Sequence, residues 1–447
     1  MPKAIRSRII LLLGVNIFSF LVGAGCARLP FFRSKQEANL LVVEKLTFQG
    51  NTHFTDAELK AVIGTTERSR LPWKEPEFFN PQVLQEDLKR IRKFYFDRGY
   101  LHARVQEPEV VVDEKAHTVR ITITIEEGEP TILQAVILEG VDQVKGITET
   151  ELQPALLLRP GEPLSRLKLE QAKLALLNQV RNLGYARARL ETRVKIDEEQ
   201  RKGWVTFLLK PGEITYFGKT RIEGNQRVKS SFIRRGLGFK EGELFTLDKL
   251  YESQRSLFNR GLFERVEVRP QNLDAEGGPV DVLVKVSEGK MRNIKLGIGY
   301  GTEDQLRVQG AWTHRNLFGG GQKLTIGGKA SFILQEVSAS FQQPFFLDPV
   351  TDLIGDLSYR QEDQVSFEVT SLSAQTRINR SFSPTSSGFL RYTLQFNEFR
   401  NVSPATTEEL STEAAGSTRV ALLAFGFQRD TSDDFFYPTR GLVTSAI

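Results

Sequence analysis

The glycine- and lysine-rich stretches of this sequence are the first candidates for a site that binds phosphate groups. LFGGGQKLTIGGKAS, Leu317 to Ser331, holds five glycines and two lysines. A phosphate loop needs Gly, four residues and then Gly-Lys-Ser/Thr before a helix. The nearest approach is Gly218-Lys219-Thr220, where Glu213 occupies the first glycine position and a strand pattern follows. The GIGYG run at Gly297 also leads into a strand pattern, whereas a dinucleotide fingerprint opens a helix. These stretches therefore predict no nucleotide site.

Side chains that catalyse reactions or bind metals form no constellation in the sequence. A single cysteine cannot build a structural zinc site. The adjacent Asp433 and Asp434 are better explained as turn residues than as a general acid and base. The four histidines fall in different predicted elements: His53, His102, His117 and His314. We therefore expect no enzymatic activity, no catalytic residues, no cofactor and no metal site.

The composition restricts the class of protein. A chain of 447 residues is too long for one ordinary core, so several domains are expected. Beyond the first thirty residues no apolar run is long enough for a membrane helix, so any membrane span must be a β-strand. The net charge of +5 comes from 60 basic and 55 acidic residues spread along the chain, which does not indicate a nucleic-acid partner.

Residues 1–26 resemble a secretory signal peptide. Lys3, Arg6 and Arg8 precede an apolar segment, and small residues then lead to Cys26. The GAGC sequence that ends at Cys26 resembles a bacterial lipoprotein cleavage site, in which this cysteine is acylated. Gly23 stands where that motif prefers leucine, so lipidation of Cys26 and ordinary cleavage both stay open. Residues 27–40 are expected to be a linker.

Three segments then repeat one plan at a spacing of about eighty residues, as expected for repeated small domains. Each has an alternating strand, a glycine turn, a short helix, a longer helix and two more strands, which predicts an α+β fold of β-α-α-β-β type. The predicted repeats span 41–128, 129–213 and 214–289. Their first turns are assigned structural roles and contain Gly50, Asn51, Gly140, Gly224 and Asn225.

Local signals support this plan. Thr55 with Glu58, and Thr148 with Glu151, fit capping boxes that open the short helices. Pro81 after Asn80 opens the longer helix of the first repeat. Apolar residues at helical spacing predict core faces, and each repeat is expected to form a three-stranded sheet covered on one face by two helices. Such a sheet leaves an edge open.

Residues 290–447 have a different pattern. Apolar and polar residues alternate strand after strand, as in Leu324, Ile326 and Phe332 against Lys323 and Thr325. This alternation is typical of an antiparallel transmembrane β-barrel with a polar interior. Because the alternation slips between residues 364 and 377, we expect a bulge or an early turn there. The glycines of the LFGGGQ stretch are then turn and strand residues.

The chain is identified as a member of the BamA/TamA superfamily of outer-membrane assembly and translocation proteins. The repeats resemble POTRA domains, and the barrel region resembles the family's surface-antigen barrel. The motifs that carry the resemblance are GIGYG, NLFGGGQ, FQQPFFL and RDTSDDFFYPTRG. Three repeats resemble the TamA branch more than a two-repeat secretion transporter or a five-repeat BamA. The barrel region accommodates about eight strands, whereas family barrels have sixteen. We therefore expect either a fragment that contains the N-terminal half of a barrel or a short protein that oligomerises.

The resemblance implies a mechanism and a site. POTRA edges would bind unfolded clients by adding a strand, especially in the third repeat, and the barrel would template membrane insertion. In the family the first barrel strand opens towards lipid as a client-binding gate. Carried over to this chain, the gate comprises Lys295, Leu296, Gly297, Ile298, Gly299, Tyr300 and Gly301. The alternative explanation of the three glycines in this strand is that they fit a tightly coiled barrel wall.

The implied location is the bacterial outer membrane, with the POTRA units in the periplasm. The expected partners are unfolded outer-membrane or secreted clients, outer-membrane lipid and a periplasmic or inner-membrane assembly protein; no nucleic acid is expected. Two alternatives stay open: a dedicated pore of the two-partner secretion type, and a passive outer-membrane scaffold. The identity of the client and the oligomeric state are not predicted.

Overall fold

A computed structural model describes residues 41–69, 78–275, 277–365, 367–402, 416–434 and 437–447. The predicted signal peptide 1–26, its Cys26 and the linker 27–40 lie outside the described residues. By its internal contacts the chain divides into two compact units. One unit runs to Gln134 and includes Pro160–Leu167 and Ile196–Gly203; the other comprises Ala135–Arg159, Lys168–Lys195 and Trp204–Ile447.

The described residues of the first repeat form two helices and four strands. They are β1 (Val42–Gln49), α1 (Asp56–Lys60), α2 (Pro81–Phe96), β2 (Arg104–Val105), β3 (Glu109–Asp113) and β4 (Thr118–Glu126). The sheet order is β1-β4-β2, and β3 also pairs with β4, so the expected three-stranded sheet has four strands. The physical reason lies between Val105 and Glu109, where Pro108 has no N–H to donate and the predicted single strand is interrupted.

The helices of the first repeat begin and pack as their sequence predicts. Thr55 and Glu58 form a capping box at α1, and the Asn80 side chain accepts hydrogen bonds from the first turn of α2. One face of α2 is buried in the core. Its apolar members are Leu84, Leu88, Ile91, Phe94 and Tyr95. The 3.6-residue period therefore predicted the core face of this helix.

The second and third repeats each contain a three-stranded sheet. The second has β5 (Ile132–Glu139), α3 (Glu149–Leu152), α4 (Arg166–Asn182), β6 (Arg189–Asp197) and β7 (Lys202–Lys210), with short 3₁₀ turns at Val141–Gln143 and Gln153–Ala155. The third has β8 (Phe217–Glu223), α5 (Ser230–Arg235), α6 (Leu247–Asn259), β9 (Phe263–Pro270) and β10 (Val280–Glu288). The sheet orders are β5-β7-β6 and β8-β10-β9.

The remaining described strands form one nine-stranded sheet in sequence order, called the barrel sheet below. They are β11 (Arg292–Gly301), β12 (Gln305–His314), β13 (Lys323–Ala330), β14 (Leu334–Gln343), β15 (Thr351–Gln364), β16 (Phe367–Ser383), β17 (Ser386–Arg400), β18 (Ser417–Asp430) and β19 (Val443–Ala446). All neighbouring pairs are antiparallel. About eight strands were expected, and the sheet has nine described strands, of which the last, β19, is short.

The two faces of the barrel sheet differ as the alternation predicts. Leu296, Ile326 and Val337 lie on an exposed apolar face, and the opposite, polar face is called the lumenal face below. Of the bulge or early turn expected between residues 364 and 377, the structure has the turn, since Gln364 pairs directly with Phe367 and the β15–β16 register has no shift. Among the described helices none is long and apolar enough to cross a membrane.

Candidate client-binding edges and the junction between the third repeat and the barrel sheet

The predicted turn glycines occupy equivalent places in the three repeats. Gly50, Gly140 and Gly224 follow the first strand of each repeat with φ values of 83°, 83° and 87°. A Cβ atom on each would lie 2.0–2.2 Å from a carbonyl oxygen of the last strand of its repeat. Glycine alone satisfies both the left-handed backbone and this close approach. The repeated glycine signal therefore marks one backbone contact that is made three times.

The asparagines that follow two of these glycines also have equivalent contacts. Asn51 Nδ2 donates to Phe54 O at 3.0 Å, and Asn225 Nδ2 donates to Val228 O at 2.9 Å. Each amide bridges the chain from the glycine turn to the residues before the short helix. These positions support the structure of the repeats and contain no catalytic arrangement.

A carboxylate closes the same turn from the other side. In the first repeat the buried Glu127 accepts hydrogen bonds from Tyr95 Oη at 2.8 Å and Thr52 Oγ1 at 2.5 Å, and it pairs with His53 Nδ1 at 2.6 Å. Burial raises the pKa of Glu127, but the hydrogen bonds from Thr52, His53 and Tyr95 outweigh it and lower the pKa below its usual range. In the third repeat Glu288 accepts from three consecutive backbone N–H groups of residues 226–228.

The predicted gate lies on an edge strand of the barrel sheet. The strand β11 begins at Arg292, three residues before the predicted start at Lys295, and pairs with β12 along its whole length. No second strand pairs with β11 among the described residues. Its apolar side chains are more exposed than those of most neighbouring strands; Leu296, Ile298 and Tyr300 are 84%, 81% and 79% exposed.

The glycines of β11 make room for long polar side chains of β12. A Cβ atom on Gly297 would lie 2.9 Å from Gln309 Nε2, and one on Gly299 would lie 3.5 Å from an Arg307 nitrogen. The Gln309 and Arg307 side chains therefore extend over the glycines on the lumenal face. This contact gives a packing reason for the glycines.

The third repeat offers a second edge. The strand β9 pairs with β10 on one side and has no further strand partner in the described part of the chain. A groove of about 530 Å³ runs between β9 and α6. Tyr251 and Phe258, seven residues apart on α6, line this groove and are 53% and 52% exposed. Gln254 Oε1 accepts one outward N–H of the edge, that of Val268, at 3.4 Å.

The turn between β14 and β15 inserts a side chain into the third repeat. Phe345 is 1% exposed and belongs to the core cluster that includes Phe232, its ring lying 5.0 Å from the Phe232 ring. Its φ of 54° is an unfavourable backbone conformation for a bulky residue. The Phe345 ring lies under the Arg260 guanidinium at 4.3 Å. Burial of the ring offsets the backbone strain.

The hairpin turn between β12 and β13 docks on the same repeat. Asn316 Nδ2 donates to Arg227 O at 2.9 Å, and Asn316 Oδ1 accepts from Gly321 N at 2.8 Å. Gly319 O accepts from Lys229 N at 2.8 Å. A Cβ atom on Gly321 would lie 2.4 Å from the Phe232 ring. The glycines first considered for phosphate binding therefore fit the turn against the third repeat.

Sequence reasoning did not find this junction. FQQPFFL predicts a strand end and NLFGGGQ predicts a hairpin turn, but neither motif indicates which element the turn contacts. The only available signals were an aromatic residue and an asparagine in turns that would otherwise be solvated.

The predicted turn role of Asp433 fits its contacts, because Thr439 and Arg440 donate to it and lower its pKa to about 2.

Comparison with known proteins gives the same architecture. The POTRA model, described as a surface antigen variable number repeat, matches residues 41–128, 132–212 and 215–289. The Omp85 superfamily domain matches residues 316–446. A crystal structure of BamA from Haemophilus ducreyi lacking POTRA domains 1–3 resembles the fold with a TM-score of 0.55 at 20% identity, covering 70% of this chain and 62% of that one.

Two curated relatives are outer membrane protein assembly factors named BamA. The protein from Nitratidesulfovibrio vulgaris is 25% identical over 94% of this chain and 53% of its own length. The protein from Neisseria meningitidis serogroup B is 23% identical over 68% of this chain and 38% of its own length. The chain therefore spans about half of the length of the first relative and less than half of the length of the second. Assignment to the TamA branch, which the repeat count favoured, stays a prediction.

Three POTRA matches cover more than half of the chain, and the Omp85 match covers most of the barrel sheet. The chain belongs to the POTRA-containing Omp85 superfamily of outer-membrane proteins, whose POTRA repeats lie in the periplasm.

Proposed function

We propose that the protein is an outer-membrane protein assembly or translocation factor that binds unfolded clients on strand edges. The observation that carries the proposal is the edge strand β9 of the third repeat, which has the groove of Tyr251 and Phe258 beside it and no second strand partner among the described residues. The strand β11 belongs to the same compact unit and also pairs with one described strand alone. The mechanism needs no enzymatic chemistry. The BamA names of the two curated relatives agree with this function.

Strand addition explains how one protein accepts many clients. An edge strand presents alternate backbone N–H and C=O groups that any extended segment can bind, so recognition depends more on conformation than on sequence. Exposed edges promote aggregation unless a protein manages or uses them. On β9 the groove beside Tyr251 and Phe258 would hold alternate apolar side chains of the client. On β11 the added client strand would already lie in the plane of the membrane wall.

Site-specific photocrosslinking in the full-length protein tests the β11 edge. A photoreactive residue at Leu296 or Ile298 is expected to capture newly made outer-membrane proteins. Leu357 is the matched control, because it is also exposed on the apolar face but lies on the central strand β15. Equal capture of clients from Leu357, or crosslinks from β11 solely to the protein's own chain, would contradict the gate.

Removal of the groove aromatics tests the β9 edge. Tyr251→Ser and Phe258→Ser change exposed side chains, so each is expected to alter stability by less than about 1 kcal/mol. Client crosslinks from a photoreactive residue in β9 should then fall. Leu174→Ser, which changes a 60% exposed residue on α4 of the second repeat, is the control. Unchanged crosslinking in both aromatic variants would exclude the groove as a client site.

Depletion of the protein separates an assembly factor from a passive scaffold. A client-binding factor should lower the abundance of particular outer-membrane proteins in the membrane fraction. An unchanged membrane proteome would instead support the scaffold function.

A further inference from the structure

Two arginines face each other on the lumenal face of the barrel sheet. Arg377 on β16 and Arg391 on β17 are directly opposite in the antiparallel register. Alternation places both on the face opposite Leu372 and Leu390, which lie on the exposed apolar face. Like charges directly opposite each other destabilise a strand pair. The register therefore places two positive charges side by side, which destabilises the strand pair unless an anion binds to both.

The pair differs from the other lumenal arginines of the described strands. Arg307 pairs with Asp304 at 3.1 Å, and Arg360 pairs with Glu362 on its own strand. No ion pair involves Arg377 or Arg391 among the described residues, and the Nε atom of each is buried without a hydrogen-bond acceptor. A buried donor on a charged group that finds no acceptor is costly. Two arginines of the second repeat, Arg181 and Arg187, share this feature at Nε, so the pair is distinguished by the direct opposition of its two charges without a carboxylate partner among the described residues.

The nearby carboxylates of the described strands are bound to other groups. Asp356 accepts a hydrogen bond from Gln375 at 3.1 Å, and Asp352 is paired with Arg260 of the third repeat. The residues directly beside the pair in the same cross-strand row are neutral: Ile354 opposite Arg377, and Ala424 opposite Arg391. A planar guanidinium recognises a carboxylate through its Nε and Nη groups, and two neighbouring guanidinium groups can share one carboxylate.

We propose that Arg377 and Arg391 form a binding site for a carboxylate side chain of a polypeptide that lies along the lumenal face. The chemistry around the pair fits an extended peptide more closely than a free anion. Gln375 and Thr393 lie in the row on one side, and Asn379 lies in the row on the other. Thr393 Oγ1 donates to Gln375 Oε1 at 3.4 Å, and Gln375 Nε2 donates to Asp356. By their chemistry Gln375, Thr393 and the Asn379 amide each keep a further donor or acceptor for a peptide backbone, and the flexible arginine stems can move their guanidinium groups onto the carboxylate.

This site goes beyond the proposed function, because it lies on the face of the sheet and needs neither open edge. Its test uses the full-length protein in lipid nanodiscs and two fluorescein-labelled peptides. One peptide alternates glutamate with serine, and the other has glutamine at every glutamate position. The glutamate peptide should bind, and its Kd should rise about tenfold or more in R377Q/R391Q, because the charge-assisted hydrogen bonds are lost. The glutamine peptide should bind weakly to both proteins.

Two further variants make the result specific. R360Q removes a lumenal arginine that already has a carboxylate partner, so it should leave the Kd of the glutamate peptide within about twofold. R377K/R391K keeps both charges but lacks the planar fork, so its Kd should fall between those of the wild type and R377Q/R391Q. Equal binding of the glutamate and glutamine peptides to the wild type would overturn the proposal. An equal loss of binding in R360Q would overturn it as well.

Discussion

Arg260 of the third repeat and Asp352 of the barrel sheet form an ion pair across the junction between these two parts of the chain. The Nη1 atom of Arg260 donates to both carboxylate oxygens, at 2.8 and 2.9 Å. The side chains are 21% and 20% exposed. Asp352 also accepts from the backbone N–H of Phe345 at 3.2 Å, so the same carboxylate holds the turn that inserts Phe345 into the repeat.

Removal of this ion pair should loosen the junction. In a double-mutant cycle of Arg260→Met and Asp352→Asn, we expect a coupling of about 1–3 kcal/mol in the free energy of unfolding, because each single change leaves a partly buried polar group without its partner. Urea unfolding of the full chain in detergent measures it. Lys249→Met with Glu243→Gln removes a more exposed pair of the same repeat and should give less than about 1 kcal/mol. Equal couplings for the two pairs would contradict a special role of the junction.

Phe345 should be the most important apolar residue of the junction. Phe345→Ala removes a buried ring from the core of the third repeat and is expected to lower the free energy of unfolding by about 3–5 kcal/mol. The neighbouring Phe346 is 39% exposed, so Phe346→Ala should cost much less. Thermal unfolding of both variants is the measurement. A similar loss in both would show that the packing of Phe345 is not the source of the effect.

Gly321 and Gly320 provide a matched pair in one turn. Gly321 has a φ of 74° and no room for a Cβ atom beside Phe232, so Gly321→Ala should destabilise the protein by about 1–3 kcal/mol. A Cβ atom on Gly320 would meet only the flexible Gln322 side chain, so Gly320→Ala should change stability by less than about 1 kcal/mol. Hydrogen exchange of the Lys229 amide, which donates to Gly319, would report local loosening in the first variant alone.

The Glu127 cluster makes the first repeat sensitive to acid. Since the pKa of Glu127 is lowered in the fold, its contribution is complete above the unfolded-state value of 4.5 and is lost as pH falls through the folded-state pKa. Glu127→Gln should cost about 1–3 kcal/mol near pH 7, and this difference from the wild type should shrink below pH 4.5. Hydrogen exchange of the β4 amides at both pH values measures it. The exposed Glu126→Gln is the control, and a difference that does not depend on pH would refute the assignment.

The local order of the repeats was predictable because its signals lie close together in the sequence. The capping box of Thr55 and Glu58 and the apolar face of α2 each depend on neighbouring residues within a few turns. The division of the strand in the first sheet also has a local cause, because Pro108 lies between β2 and β3 and has no N–H to donate. The alternation of the barrel strands predicted which residues lie on each face, because side chains change sides at every residue.

What the sequence alone determined is therefore most of the elements, their faces and the glycines that the turns require. Tertiary structure alone decided which turns meet which repeat and which side chains lie opposite each other on neighbouring strands. Phe345 enters a core formed more than fifty residues earlier in the chain, and Arg377 faces Arg391 because one hairpin register places them together. These pairings depend on contacts between distant residues, which no local period encodes.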